Sequence, residues 1–227
     1  VEVASKSNAL VTIGIKPTWA CPSYGYIERG GKATVTGCEV ENAPYEVSCF
    51  REKPDPELAE KFLEAGNFAW NAGMFIWSVP TVLGQLEKHA PELRKFVGEL
   101  CRSQDLPATV EAQFPTLTPI SIDYALMENA DRVLNIEANF DWDDVGSWIS
   151  VAKYLDQQGE NNATNTDLAL VDSENNIVFN TQKGVKVALL GVDDLIVVQT
   201  EDALLVANRH QADSIKKLSA HLREELL

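Results

Sequence analysis

Cys49–Phe50–Arg51–Glu52–Lys53–Pro54–Asp55–Pro56 carries the chain out of a strand and into a helix. The residues before it, 45–50, are extended in character, and Asp55 followed by Pro56 supplies a cap and a first-turn proline. The helix this starts runs to about Ala65 and stops at Gly66. A strand leading through a short loop into a helix is the unit of a layered α/β domain. Pro54 fixes the local backbone and biases Lys53 toward extended geometry at the strand's end. That is the rim of an α/β sheet, where ligands tend to sit. There Glu52 can accept hydrogen bonds from sugar hydroxyls, while Lys53 offers a point charge to a phosphate. Taken alone, the tetrapeptide also reads as a solvated Arg-Glu-Lys turn.

The flanks continue the α/β pattern. Upstream, Leu10–Ile15 is short, apolar and β-branched, as a buried strand would be. Residues 24–28 are extended up to the turn signal Gly30–Gly31. A further strand is expected over 32–40, joined to 45–50 by the turn at 41–44. Downstream, 74–77 reads as a strand, and Ser78 caps a long helix over about 80–100. Val82, Leu83, Leu86, Leu93, Phe96, Val97 and Leu100 recur in it at helical spacing, and Pro91 predicts a kink or break. The stretch 101–119, with three prolines, reads as loop. A short helix over 122–129, a strand over 132–138 and a helix over 147–157 complete this unit.

Composition shifts at Gln158–Gly159–Glu160–Asn161–Asn162. Beyond it, short apolar strands at 168–171, 177–179, 185–190, 195–198 and 203–206 alternate with Asx and Gly turns. That pattern predicts a compact β appendage or the coils of a small β-solenoid. An amphipathic helix is expected over 211–227. The expected division is therefore 1–160, an α/β unit, and 161–227, a β-rich appendage with a terminal helix.

A net charge of −15 repels phosphate backbones and anionic lipid, so nucleic acid and membrane are disfavoured partners. An anionic ligand must meet a local positive cluster that opposes this field. Cys21, Cys38, Cys49 and Cys101 form no CxxC pair, which points to free thiols in a reducing cytoplasm. No apolar run reaches the length of a membrane span, and no signal peptide opens the chain. The chain starts without Met shortly before an apolar strand, so it is expected to be a piece that begins partway through a domain.

Three further segments carry candidate chemistry. In Phe68–Ala69–Trp70–Asn71–Ala72–Gly73–Met74–Phe75, Asn71 can read hydroxyls, and Gly73 lets a ligand approach the backbone. Core packing accounts for Trp70, Met74 and Phe75. In Tyr24–Gly25–Tyr26, a strand glycine permits close approach or marks a bulge. Phe140–Asp141–Trp142–Asp143–Asp144–Val145–Gly146–Ser147–Trp148 crowds three carboxylates, which repel and raise one another's pKa. It reads either as a site for a hard cation such as Mg²⁺ or as a polar turn with Ser147 as helix cap. His89, His210 and His221 are scattered, and no glycine-rich phosphate loop is present.

In this order, these segments resemble the mannose-1-phosphate guanylyltransferases, also called GDP-mannose pyrophosphorylases. The resemblance rests on Gly14–Ile15–Lys16–Pro17–Thr18, Tyr24–Gly25–Tyr26–Ile27–Glu28, Glu52–Lys53–Pro54, Trp70–Asn71–Ala72–Gly73–Met74–Phe75, Ser121–Ile122–Asp123–Tyr124–Ala125 and Trp142–Asp143–Asp144–Val145–Gly146–Ser147–Trp148. It implies an incomplete nucleotide-diphospho-sugar transferase domain, Rossmann-like and layered, followed by a β-helix-like region. It also implies transfer of a guanylyl group from GTP to mannose 1-phosphate. By motif position Lys53 and Asp144 are catalytic, Asp144 being a Mg²⁺ ligand with Asp143 as alternative and Asp141 structural. Lys53 contacts the sugar phosphate, Glu52 and Asn71 read mannose hydroxyls, and Gly25, Tyr26 and Gly73 line the sugar pocket. With these motifs in order, the metal reading of the acidic cluster is preferred.

The family's glycine-rich signature and a second metal-binding aspartate are absent from this sequence. The piece is therefore expected to hold the sugar-phosphate half and to be inactive by itself. Two other readings compete: a non-catalytic regulatory homologue that binds sugar nucleotide, and a nucleotidyltransferase for another hexose 1-phosphate. Pairing of two protomers through the β appendage is a further expectation from the resemblance.

Overall fold

The computed structural model describes residues 1–222. The chain packs as two compact units, Val1–Trp142 and Asp143–Leu227. Five strands build the first: β1 (Leu10–Ile15), β2 (Tyr26–Lys32), β3 (Tyr45–Arg51), β4 (Phe68–Ile76) and β5 (Val133–Glu137). They hydrogen-bond in the order β1–β4–β2–β3–β5, and β5 returns to β1, so the sheet closes on itself. The β1–β5 pairing is parallel and the others are antiparallel. β1 lies between β4 and β5, with Leu10, Val11 and Thr12 all buried. Its near-continuous apolar sequence is what a strand covered on both faces requires.

Helices α1 (Glu2–Lys6), α2 (Pro56–Ala65), α3 (Val79–His89), α4 (Pro91–Leu100) and α5 (Leu106–Gln113) flank the sheet. Asp55 caps α2 by accepting from the Leu58 amide at 2.9 Å, and Gly66 ends it in left-handed geometry. The long helix expected over 80–100 is two helices, broken at Ala90 because Pro91 cannot continue the ladder. Leu86 of α3 is packed with Leu10, Ile27, Leu126 and Met127 in the main core.

Several expectations are corrected. No strand forms over 32–40: β2 runs through Gly30–Gly31 with register irregularities and ends at Lys32. Residues 33–44 loop out, clamped at the base by Ala33 N–H donating to Pro44 O at 2.8 Å. Val35 of this loop is buried with Val3, Val11 and Leu134, so its apolar character serves packing rather than pairing. The stretch 101–119 is not all loop. Asp105 caps α5 through the Ala108 amide at 3.1 Å, and one of its prolines sits in that helix's first turn. The helix expected over 147–157 is only α6 (Trp148–Val151) and one tight turn, Ala152–Tyr154.

The second unit contains β6 (Asp156–Gln158), β7 (Asn162–Thr164), β8 (Leu168–Val171), β9 (Ile177–Asn180), β10 (Val187–Leu190), β11 (Leu195–Gln199) and β12 (Leu204–Asn208). The parallel pairings β7–β9–β11 and β8–β10 stack successive coils. Antiparallel β6 and β12 close the two edges of the larger sheet. Ala163, Ile177 and Ile196 align along the stack, as a solenoid core demands. The terminal segment Arg209–His221 is a run of tight helical turns interrupted at Gln211, not one regular helix. The last residues of the expected helix lie outside the described residues.

Packing divides the chain ahead of residue 160. Ala152, Trp148 and Ile149 join the core of Ala163, Ile177 and Ile196, so the α6 segment belongs with the β-rich unit. The two tryptophans of the acidic segment are thereby split. Trp142 packs beside Tyr24 at 5.3 Å in the first unit, and Trp148 beside Phe179 at 5.4 Å in the second.

Between coils, buried asparagines bond to the turns. Asn176 Nδ2 donates to Asn162 Oδ1 at 2.8 Å and to Val192 O at 2.9 Å, and Asn176 Oδ1 accepts from the Leu195 amide at 2.9 Å. Replacing Asn176 by Leu strands these partners away from water. Asn176→Leu should therefore lower stability by about 2–4 kcal/mol in denaturant unfolding, at a cost of ~1–3 kcal/mol per buried unsatisfied group. An unchanged midpoint would refute the ladder's structural role.

Candidate active site

Strand register assembles the first cluster. Tyr26 pairs with Arg51 on β3 and with Trp70 on β4. One residue outward, Gly25 therefore lies between Glu52 and Asn71, and the Asn71 amide donates to Gly25 O at 2.8 Å. A methyl on Gly25 would stand 2.5 Å from Glu52 Oε2 and 3.3 Å from Asn71 Cβ. Glycine here is what allows the carboxylate to fold across the strand end.

Asn71 is the hub. Its Oδ1 accepts from Thr12 Oγ1 at 3.2 Å and from the Gly73 amide at 3.1 Å, and its Nδ2 donates to Asp123 Oδ1 at 3.1 Å. These bonds orient the amide completely. Asp123 opens a π-helical turn, Asp123–Met127, of the kind often found at functional positions. Its sequence motif assigns it no role, since only the turn and the long-range bond to Asn71 bring it here. The π-turn itself leaves no signal in a pattern of helical period.

Glu52 is the perturbed carboxylate of this cluster, its side chain only 14% exposed. Burial, and next the Asp123 carboxylate, raise its pKa above the ordinary glutamate range, while Lys53 pulls it back. Lys53 Nζ stands 3.5 Å from Glu52 Oε1 and is 66% exposed, so its ammonium faces solvent beside the cluster. The backbone at Lys53 has φ 48°, not the extended geometry expected from Pro54. Left-handed geometry at a non-glycine residue costs about 1–3 kcal/mol and is characteristic of functional loops.

Two predicted positions differ. Tyr26 does not line a pocket with its side chain: it is fully buried, and its hydroxyl accepts from the Cys21 amide at 2.9 Å. Alternation along β2 explains this, since neighbouring residues face opposite sides and Gly25 holds the outward position. Met74, expected in the core, is exposed. Gly73, at φ 69°, has open space where a side chain would start. Trp70 and Phe75 pack inside as expected, Trp70 with Tyr24 at 5.2 Å.

The acidic segment forms a second cluster. Asp143 is already engaged: Lys153 Nζ donates to Oδ2 at 2.6 Å and the Val145 amide to Oδ1 at 3.0 Å. Those bonds, the lysine's first, hold its carboxyl below the usual aspartate range. The turn forces Val145 to φ 48°, a strained value for a β-branched residue. Ser147 caps α6 through the Ser150 amide at 3.4 Å, so the capping role read from sequence is present beside the acidic cluster. Asp144 is exposed and its carboxylate has no hydrogen bond or ion pair among the described residues. It fits the part of a single carboxylate offered to Mg²⁺. Among the described residues, no group of three or more His, Cys, Asp or Glu could hold a metal by itself.

A closed α/β unit with a lysine, two carboxylates and an oriented amide at one strand edge, followed by a parallel β-solenoid, defines a class, and the comparisons agree. The model of the nucleotidyl transferase family matches residues 1–161, and the chain belongs to that family. The model of a MannoseP isomerase/GMP-like beta-helix domain matches residues 167–222. Among relatives, the chain is 36% identical to a mannose-1-phosphate guanylyltransferase of Sinorhizobium fredii, over 97% of this chain and 42% of that protein. It is 32% identical to the enzyme of that name from Escherichia coli K12, over 97% of this chain and 46% of the other. A crystal structure described as a mannose-1-phosphate geranyltransferase from Thermus thermophilus superposes with a TM-score of 0.77 at 28% identity. That match covers 97% of this chain and 62% of the other. The chain spans about half the length of the guanylyltransferases it matches.

The raised pKa of Glu52 fixes a sign. The folded state holds this proton more tightly than the unfolded state, so the Glu52 contribution falls as pH rises from the unfolded glutamate pKa through the folded one. Glu52→Gln removes the effect. Thermal unfolding from pH 4 to pH 7 should show the variant gaining stability relative to the parent as pH rises. A constant difference would contradict the placement of Glu52.

Proposed function

We propose that this chain supplies the sugar-phosphate half of an enzyme that transfers a guanylyl group from GTP to mannose 1-phosphate, releasing pyrophosphate and forming GDP-mannose. The observation that carries this reading is the alignment of Glu52, Lys53 and Asn71 around Gly25. The family and the names of the relatives support it.

In this reading the Lys53 ammonium holds the phosphate of mannose 1-phosphate. Asn71, fixed by Thr12 and Asp123, and Glu52 hydrogen-bond the sugar hydroxyls. A phosphate oxygen of the sugar attacks the α-phosphorus of GTP in line. The new P–O bond forms as the bond to the bridging oxygen breaks, and that oxygen leaves with pyrophosphate. Such transfer depends on positioning and charge neutralisation and needs no protein nucleophile. Mg²⁺, held in part by Asp144, would supply additional neutralisation of phosphate charge. Exposed Leu190, Leu204 and Val206 on the β-rich unit support pairing of protomers, for which light scattering should give twice the chain mass.

Titrating mannose 1-phosphate into this chain, followed by calorimetry, should show saturable binding. Lys53→Gln should weaken it at least tenfold, the loss of one charge-assisted contact being worth about 1.5–3 kcal/mol. In the protein that carries this chain with its nucleotide-binding segment, Asp144→Ala should lower kcat for GDP-mannose formation by about a hundredfold or more. Unchanged sugar-phosphate affinity in a folded Lys53→Gln protein would remove the assignment.

A further inference from the structure

We propose that the α3–α4 hairpin carries a second anion site, built by Arg94 and Arg102 over Gly98 with Lys95 beside it, that binds the phosphoryl group of a small molecule. An open depression of about 480 Å³ elsewhere in this unit is lined mainly by apolar and acidic residues, including Val35, Glu39 and Glu41. The depression on α4, about 280 Å³, is instead lined by Arg94, Lys95, Gly98 and Arg102 together with Pro91 and one acid, Glu87. It shares no residue with the Glu52–Lys53–Asn71 cluster.

The geometry is specific. Residues 94 and 98 are four apart on one face of α4, and Arg102 follows in the turn just past its end. Arg94 Nη1 lies 3.5 Å, and Arg102 Nη2 3.7 Å, from the point where a side chain on Gly98 would begin. Two guanidinium groups therefore converge on one spot. Like charges at this spacing repel unless an anion lies between them. Guanidinium forks match phosphate oxygens in a bidentate manner, which makes a phosphoryl group the natural bridge.

Neighbouring acids neutralise the pair only in part, Glu87 pairing with Arg94 but no acid with Arg102 among the described residues. Arg94 Nε is buried and makes no hydrogen bond, although Glu87 Oε2 stands 3.3 Å away on a side chain that is 72% exposed. Lys95 reaches only Glu99, at 3.9 Å. Elsewhere in the chain, Arg29, Lys88, Arg132 and Lys153 each pair closely with a carboxylate. In a chain of net charge −15, Arg102, with no acid paired to it and a second guanidinium beside it, is a local exception. Helix interiors disfavour glycine, yet Gly98 occupies the floor of this depression. Its missing side chain is what lets the two guanidinium groups approach the same point.

The test uses the full chain carrying Lys53→Gln, which silences the other phosphate contact. Inorganic phosphate, pyrophosphate, mannose 1-phosphate and GTP are titrated separately by calorimetry in about 50 mM NaCl, where screening is weak. Saturable binding of at least one of them is expected. It should weaken at least tenfold with Arg94→Gln or Arg102→Gln, be abolished by Gly98→Leu and weaken in about 300 mM NaCl. Tightest binding of phosphate or pyrophosphate would identify a free anion as the source. Tightest binding of mannose 1-phosphate or GTP would identify a phosphorylated substrate. Circular dichroism checks that each variant is folded. No saturable binding of any probe, or unchanged affinity in the folded Arg94→Gln/Arg102→Gln double variant, overturns the proposal.

Discussion

The amide of Asn71 is the constraint on which the candidate site of the first unit depends. Two elements distant in sequence meet at it, β1 through Thr12 and the π-turn through Asp123, and the Gly73 amide of its own strand adds a third bond. Each bond uses a different face of the amide, so the group has one orientation. That fixes its exposed edge with no loss of rotamer freedom on binding, the condition for reading a hydroxyl rather than merely touching it. The same backbone position is tied to Gly25 O, which sets how closely Glu52 can approach. Removing the amide would release Asp123 and leave two carboxylates facing one another with less to hold them.

Charge organises the rest. Burial and Asp123 together oppose ionisation of Glu52, and Lys53 beside it is the compensating cation. Such a cluster is costly, since burial and a neighbouring carboxylate both oppose the charged form of Glu52. Backbone strain falls in the same places. Lys53 and Val145 both adopt left-handed geometry, one inside the Glu-Lys-Pro segment and the other immediately after Asp144. Neither conformation follows from local preference, so each is imposed by the surrounding packing.

The motifs are legible in the sequence, but their assembly is not. Capped helix starts at Asp55 and Ser78, the break at Pro91 and the short solenoid strands follow from local rules, and all appear in the structure. Glu52, Lys53, Asn71 and Gly25 are identifiable one by one because turn chemistry and side-chain type mark them. What brings them together is strand register, a long-range property that no local window contains. The side chain of Tyr26 is buried for an instructive reason. Period-two alternation, applied to Gly25 and Tyr26, sends one outward and the other into the core. Asp123 lies in a motif visible in the sequence, but its bond to Asn71 is not, because a π-turn is set by tertiary contacts. The strand expected at 32–40 fails because Val35 satisfies its burial without pairing.

The acidic segment, read with the charge pattern of the whole chain, explains why only one of its two adjacent carboxylates is free. Asp143 is committed to Lys153 and the Val145 amide, a structural bond that shapes the loop. Asp144 cannot share those partners, and Gly146 beside it leaves room for its carboxylate, which stands 2.6 Å from where a side chain would start. The loop therefore uses one acid to present the next. The same division of labour appears among the cations. Many basic side chains, Arg29, Lys88, Arg132 and Lys153 among them, lie against a carboxylate, which limits the positive field available to an anion. Lys53 faces solvent with only a partly buried, reluctantly ionised glutamate beside it. Arg102 has no acid paired with it among the described residues. On a surface this negative, an anion would be held only where cations are left unneutralised.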